Sequence, residues 1–173
     1  GYIGFASQLA RDARLSGFRA ALWEGGVALE PSRIVNAEGG RMEDGFGAMA
    51  ALMRSPSPPR AVFAYHDLLA IGALEYCRRH SIRVPDDVAI AGFDNLPQSQ
   101  VTQPALTTVS YPIQSMARLA VNCVTEHRDD QASTGPHHRI LLAPQLIVRQ
   151  SSDPGAEPAG GAVNIDYRVG ELL

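Results

Sequence analysis

Two apolar runs, each followed at once by polar residues, dominate the middle of the chain. The first run covers Ala61 to Tyr65 and stops at His66-Asp67; the second covers Val88 to Phe93 and stops at Asp94-Asn95. The stretch between them carries apolar residues at helical spacing, which predicts a strand, a helix and a second, parallel strand. Carboxyl ends of parallel strands meet at one sheet edge, where open α/β folds bind ligands. Both polar pairs are therefore predicted at a ligand-binding edge.

The same kind of pattern extends to either side of this unit. It predicts further strands at Tyr2 to Ala6, Ile34-Val35, Leu106 to Ser110 and, in extended form, Arg139 to Gln150. It predicts further helices from Ala10 to the Gly25-Gly26 pair, from an Asp44 cap to Arg54, and from Pro112 to Arg128. Asp67 is the predicted N-cap of the central helix. The order of elements indicates an α/β fold with a mostly parallel sheet and helices on both faces.

The remaining segments are predicted to be irregular. The polar stretch from Asn95 to Ala105 and the stretch from Asp129 to His138 are expected to be loops. From Ser151 the sequence is rich in Gly, Ala, Pro and Glu, so residues 153–173 are expected to form a largely disordered tail. A weak alternation from Val163 to Val169 is compatible with a docked strand.

Composition narrows the class of protein. A length of 173 residues with 45% hydrophobic residues suits one globular domain. A net charge of −3 argues against a nucleic-acid-binding surface on this chain. No apolar run approaches the ~20 residues of a membrane helix. The separated Cys77 and Cys123 fit a reducing compartment, and Gly1 to Phe5 resembles a core strand more than a signal peptide. We therefore expect a cytoplasmic protein.

Gly45-Phe46-Gly47-Ala48-Met49-Ala50 matches the G-x-G-x-x-A pattern of dinucleotide-binding proteins. That pattern requires its first glycine directly after a strand, so that the pyrophosphate meets a tight turn into the helix. Here the preceding strand ends near Val35, and a long polar loop intervenes. We therefore interpret both glycines as small residues within an amphipathic helix, and predict no cofactor.

Other enzyme and metal interpretations are also disfavoured. Ser7, His66 and Asp94 are predicted near one another at the sheet edge, which suggests a catalytic triad, but no G-x-S-x-G elbow exposes a nucleophile. His137-His138 has no further ligands at zinc-site spacing. We expect no catalytic residues and no metal. Polar residues in this arrangement more commonly bind a ligand by hydrogen bonds.

Arg14 adds a cation to this group. It lies near the start of the first predicted helix, beside the carboxyl end of the first strand. A guanidinium can donate a fork of hydrogen bonds to a hydroxyl or carboxylate. Together with the Asp94 carboxylate and the His66 ring, Arg14 suits a polyhydroxylated ligand.

Four segments resemble, in order and spacing, the lactose/galactose-repressor family of bacterial transcription regulators. They are Arg14 to Leu22, Ala61 to Leu74, Arg83 to Asn95 and Pro104 to Val109, and the resemblance covers about residues 1–150. It implies a periplasmic-binding-protein-like (type I) fold that holds a small-molecule effector in a cleft. It also implies operator binding through a separate N-terminal helix-turn-helix, and a homodimer.

The resemblance also implies roles for individual residues. Arg14 and Asp94 match the effector-contacting Arg and the carboxylate for effector hydroxyls, and Asp67 matches the helix-opening Asp of an Asn-Asp pair. Ile113 falls roughly where an apolar effector-packing side chain can sit. The chain departs from the family at His66, which replaces the Asn of that pair, and near Gly40, where a stacking aromatic residue is usual. Both departures leave the effector open.

The resemblance implies that the chain is the C-terminal, effector-binding subdomain of a regulator, covering residues 1–152. The segment of about residues 106–128 would cross toward an N-terminal subdomain that is not in this chain. The apolar face of the helix in that segment should then be partly uncovered. Two other classes stay open: a periplasmic-type sugar-binding protein of a transport system, and an enzyme on the same scaffold. The upstream coding sequence would separate all three.

Overall fold

The computed structural model describes residues 1–5, 13–126, 140–157 and 161–163. A seven-stranded sheet forms its centre, in the order β2-β1-β3-β4-β5-β6-β7. The strands are β1 Tyr2–Phe5, β2 Ile34–Ala37, β3 Ala61–Ala64, β4 Ala89–Phe93, β5 Thr107–Ser110, β6 Gln145–Val148 and β7 Gly161–Val163. Strands β1 to β5 are parallel, whereas β6 pairs with β5 and β7 with β6 in antiparallel fashion.

In the described residues, five α-helices connect the strands: α1 Ala13–Glu24, α2 Met42–Met53, α3 Asp67–Arg79, α4 Gln98–Val101 and α5 Ile113–Glu126. Helix α1 packs on one face of the sheet, where the Phe18 ring lies 5.9 Å from Tyr2 and 5.6 Å from Phe63. Helices α2 and α3 cover the opposite face, where Met49 and Leu69 are buried in the main apolar core. The predicted α/β fold, with a mostly parallel sheet and helices on both faces, is confirmed.

Helices α2 and α3 approach each other through glycine. A Cβ on Gly72 would overlap the Met42 carbonyl, and a Cβ on Gly45 would overlap the backbone of Leu69. The two helices therefore meet backbone to backbone. Gly45 is thus a packing residue inside α2, in agreement with our interpretation of it as a small residue within a helix.

One predicted helix cap is wrong, and the other acts from the third residue of its helix. Helix α3 is capped by the His66 ring, which accepts a hydrogen bond from the Leu69 amide, because the Asp67 side chain turns into the core. Helix α2 begins at Met42, before Asp44, and the Asp44 carboxylate accepts from the Arg41 amide over 2.9 Å.

The predicted ends of several other elements can be compared with the structure. The Gly25-Gly26 pair ends α1 as predicted, with Gly26 at a φ of 73°. The connection after Asn95 was predicted as a loop, but it contains α4. Strand β7 ends at Val163, where a docked strand was predicted to begin. The predicted loop from Asp129 to His138 lies outside the described residues.

Helix α5 leaves the sheet with much of its apolar side uncovered, as predicted. Its residues Ile113, Met116, Val121 and Val124 are each at least 45% exposed. Cys123 is exposed on the same helix, whereas Cys77 is buried in the core. In the described part of the chain, no helix is both long and apolar enough to cross a bilayer.

Candidate functional site

The Arg14 guanidinium is held between two aromatic rings at the carboxyl edge of the sheet. Its central carbon lies 4.2 Å from the Tyr65 ring centre and 4.0 Å from the Phe93 ring centre. One terminal nitrogen donates to the Tyr65 carbonyl over 2.5 Å, and the other lies 3.6 Å from the Asp94 carboxylate. Stacking and pairing fix the charge in place, while a quarter of the side chain, 26%, stays exposed. Sequence alone placed Arg14 and Asp94 at this edge, and the structure brings them together.

Asp94 sits in a strained turn directly after β4. Its φ is 107° and that of Asn95 is 49°, both in the left-handed half of the backbone map that non-glycine residues rarely occupy. The Asp94 amide donates to the Val109 carbonyl over 2.9 Å, and the Asn95 amide donates to the Thr108 hydroxyl over 3.2 Å. Such strain persists only where surrounding contacts fix the backbone, and it is concentrated at functional sites.

Asp67 supports this turn from inside the protein. Its side chain is completely buried; the carboxylate accepts from the Thr108 hydroxyl over 2.6 Å and from the Leu96 amide over 2.8 Å. Burial raises the pKa of Asp67 to about 6, and these two hydrogen bonds act in the opposite direction. Asp67 therefore faces the turn that carries Asp94 and is not exposed to solvent.

Arg149, a residue that sequence analysis missed, completes the support. It is 1% exposed, and its guanidinium donates to the Asn95 side-chain oxygen over 2.9 Å. It also donates to the Ser99 hydroxyl and the Leu106 carbonyl over 3.0 and 2.8 Å. Burial lowers the pKa of Arg149, while the nearby Asp67 charge raises it. The sequence feature that could have indicated this role is the arginine that directly follows the apolar run Leu146-Ile147-Val148.

His66 is half-buried at the start of α3. Its Nδ1 accepts from the Leu69 amide over 3.3 Å, and its ring meets the edge of Tyr65 at 5.7 Å between centres. Burial lowers the pKa of His66, and the Asp94 charge opposes this effect. With Nδ1 engaged by the backbone, the ring does not form the His–Asp pair that a catalytic triad requires.

Tyr111 is a second residue that sequence analysis missed. It follows β5, and its ring lies 5.9 Å from that of Phe93. Burial and the neighbouring Asp94 carboxylate raise the pKa of the Tyr111 hydroxyl. Tyr111 follows the parallel strand β5 just as Asp94 follows β4, and this shared position could have indicated Tyr111 as a site residue.

Ile113 and Ser7 are the remaining predicted site residues. Ile113 begins α5 and is 57% exposed, and its amide donates to the Tyr111 carbonyl over 2.8 Å. Ser7 lies outside the described residues, as do His137 and His138. Within the described residues, no group of three His, Cys, Asp or Glu side chains is placed to hold a metal ion.

A family model described as "Periplasmic binding protein-like domain" matches residues 1–152. The chain belongs to this family. It is 35% identical over 156 residues to the HTH-type transcriptional regulator DegA of Bacillus subtilis (strain 168), which covers 88% of this chain and 44% of DegA. The lactose/galactose-repressor resemblance is confirmed, and the chain spans less than half the length of this relative.

Solved structures agree with this assignment. A LacI family transcriptional regulator from Mycobacterium smegmatis is 31% identical with a TM-score of 0.71, over 86% of this chain and 55% of that one. A structure described as a transcriptional regulator CelR–cellobiose complex is 31% identical with a TM-score of 0.72, over 87% of this chain and 46% of that one.

Proposed function

We propose that this chain is the effector-binding, C-terminal part of a bacterial transcription regulator, covering residues 1–152, with 153–173 as a tail. The observation that carries the proposal is the Arg14–Asp94 pair, a fixed donor and acceptor at the carboxyl edge of a parallel sheet. The family match and the regulators among its relatives support the same function. Operator DNA would be bound only through a segment outside this chain.

The proposed effector is a sugar or a related polyol. A hydroxyl can accept from a guanidinium and donate to a carboxylate at once, so vicinal hydroxyls match Arg14 and Asp94. The solved CelR–cellobiose complex, a related regulator, supports a carbohydrate. Partial burial of both side chains, 26% and 24% exposed, would strengthen these bonds relative to bonds in bulk water.

Further residues are assigned to this site as proposals. His66 and Tyr111 flank the Arg14–Asp94 pair, Ser7 would approach from the segment after β1, and Ile113 would contribute apolar contact. Asp67 is proposed as a positioning residue, because its buried carboxylate contacts the turn and no solvent. Effector binding would close the cleft and change the spacing of the DNA-binding heads. These roles suit a cytoplasmic, non-enzymatic protein.

A homodimer is proposed through the outer faces of α2 and α3. A groove of about 380 Å³ lies there, lined by Met42, Glu43, Phe46, Gly72, Glu75 and Arg79. A two-fold interface brings the same patch against itself, so a patch with both carboxylates and a guanidinium can complement its own copy. Sedimentation equilibrium of the complete gene product should give a dimer that Met42→Arg shifts toward monomer.

Calorimetry of the complete gene product tests effector binding. The probes are D-glucose, D-ribose, cellobiose, adenosine and cytidine. For any probe that binds, Arg14→Ala and Asp94→Ala should each weaken the affinity at least about tenfold, since each removes a charge-assisted hydrogen bond. Arg60→Ala, which replaces an exposed arginine directly before β3, is the matched control. Unchanged affinity in both site variants would refute the proposed function.

A further inference from the structure

The Asn95 side chain links the turn that carries Asp94 to two strands of the sheet. Its oxygen accepts from the Arg149 guanidinium over 2.9 Å, and its amide nitrogen donates to the Ser110 hydroxyl over 3.4 Å. Ser110 ends β5, and Arg149 directly follows β6. Because a guanidinium only donates, the group that faces Arg149 must be the oxygen, which leaves the nitrogen for Ser110. These two hydrogen bonds form the Asn95 bridge.

The turn has a backbone conformation that relaxes unless other contacts hold it. Asp94 and Asn95 have φ values of 107° and 49°, and non-glycine residues keep such values only where the surrounding structure fixes them. Relaxation toward negative φ would rotate the Cα–Cβ bond of Asp94. The carboxylate, which lies 3.6 Å from the Arg14 guanidinium, would then move away from that cation. The position of the Asp94 carboxylate therefore depends on what holds the turn.

We propose that Asn95 is a positioning residue of the effector site, whose bridge to β5 and β6 holds the Asp94 carboxylate beside Arg14. Asparagine combines two properties that this position requires: it tolerates the left-handed conformation, and its side-chain oxygen accepts from a buried cation. The anchor of the bridge is rigid, because Arg149 is 1% exposed and donates two further hydrogen bonds inside the protein. This inference rests on the proposed function and adds a residue that acts on the effector only through Asp94.

The first test needs no effector. Asn95→Gly removes the bridge and should stay folded, because glycine adopts a φ of 49° without strain. Amide hydrogen exchange of the complete gene product, corrected for intrinsic rates, should become at least about tenfold faster in residues 94–96 and change less than about twofold in α3. Asn95→Asp, which keeps an acceptor for Arg149, should exchange within about threefold of wild type. Unchanged exchange of the turn in Asn95→Gly, or equally faster exchange throughout the protein, would overturn the inference.

Glycine also makes the backbone more flexible, so the second test removes the bridge from its other end. Arg149→Lys leaves the sequence of the turn unchanged and keeps a positive charge near Asp67, but it replaces a planar fork of donors by a single nitrogen. It should also speed exchange in residues 94–96. The double variant with Asn95→Gly should exchange no faster than the faster single variant, since both changes remove the same contact. Effects that multiply in the double variant would overturn the inference.

The third test measures binding. For a probe that binds among the five above, Asn95→Gly should weaken affinity about tenfold, because the Asp94 carboxylate is no longer held in place before binding. Asn95→Asp should restore affinity to within about threefold of wild type, and an equal loss in both variants would count against the inference. Ser81→Gly, the same kind of change at a φ of 57° after α3, is the matched control and should leave affinity unchanged.

The binding results also separate the inference from the proposed function. If Asp94→Ala loses affinity and Asn95→Gly does not, only the inference fails. If Arg14→Ala, Asp94→Ala and Asn95→Gly all keep wild-type affinity, the proposed function fails with it.

Discussion

The Arg149 guanidinium and the Asn95 side-chain oxygen lie 2.9 Å apart, which ties the end of β6 to the turn that carries Asp94. The buried Arg149 side chain thus holds the strained turn in place through Asn95. The same cation lies near the buried carboxylate of Asp67, which bonds the next residue of the turn, Leu96. Arg149 and Asp67, which are far apart in sequence, therefore set the position of the partly buried Asp94 carboxylate.

Arg149→Met should destabilise the protein by about 3–5 kcal/mol, because it removes three donated hydrogen bonds and leaves the Asp67 charge buried without its cation. Urea denaturation followed by circular dichroism measures the change. Arg60→Met, which replaces an exposed arginine, should change stability by less than about 0.5 kcal/mol. Equal effects of the two substitutions would show that the buried network contributes nothing.

Asp67→Asn should change how stability depends on pH. The folded-state pKa of Asp67 is raised from 3.8 to about 6, so its contribution is fully present below pH 3.8 and is lost as pH rises through 6. Asn does not titrate. The free energy of unfolding of the variant should therefore rise relative to that of wild type, by up to about 3 kcal/mol, as the pH increases from 3.8 to about 6. The neighbouring His66 is present in both proteins, so its titration largely cancels. A pH-independent difference in urea midpoints would contradict the expected result.

Gly72→Ala should destabilise the protein by about 3 kcal/mol, since its methyl group would overlap the Met42 carbonyl and force α2 and α3 apart. The matched control is Gly47→Ala, whose methyl meets nothing within 4 Å and which should stabilise α2 by about 0.5–1 kcal/mol. Thermal unfolding of both variants measures the contrast. A stable Gly72→Ala protein would contradict the close backbone contact.

Asp94→Gly should raise stability by about 1–2 kcal/mol while it weakens effector binding, because glycine adopts a φ of 107° without strain. Ser81→Gly is the matched control: Ser81 has a φ of 57°, lies at the end of α3 and is remote from the site. It should stabilise the protein and leave binding unchanged. Loss of stability in Asp94→Gly would mean that the Arg14 ion pair outweighs the strain.

The sequence predicted the parts of the fold that depend on local pattern. Alternating apolar and polar segments between Arg60 and Asn95 placed β3, α3 and β4, and parallel pairing placed His66 and Asp94 at one edge. Local pattern could not reveal that Asp67 turns inward, because its partners Thr108 and Leu96 are distant in sequence. Arg149 was missed for the same reason. A buried polar network is a property of the folded packing, which no sequence window contains.

The backbone contact between α2 and α3 bears on how such a protein can evolve. Because Gly45 and Gly72 leave no room for larger side chains, this layer cannot be reshaped by stepwise enlargement of residues. New effector preferences would then arise outside this layer, at the sheet edge that carries Arg14 and Asp94. The rigid layer would keep the scaffold constant while the recognition of small molecules diversifies.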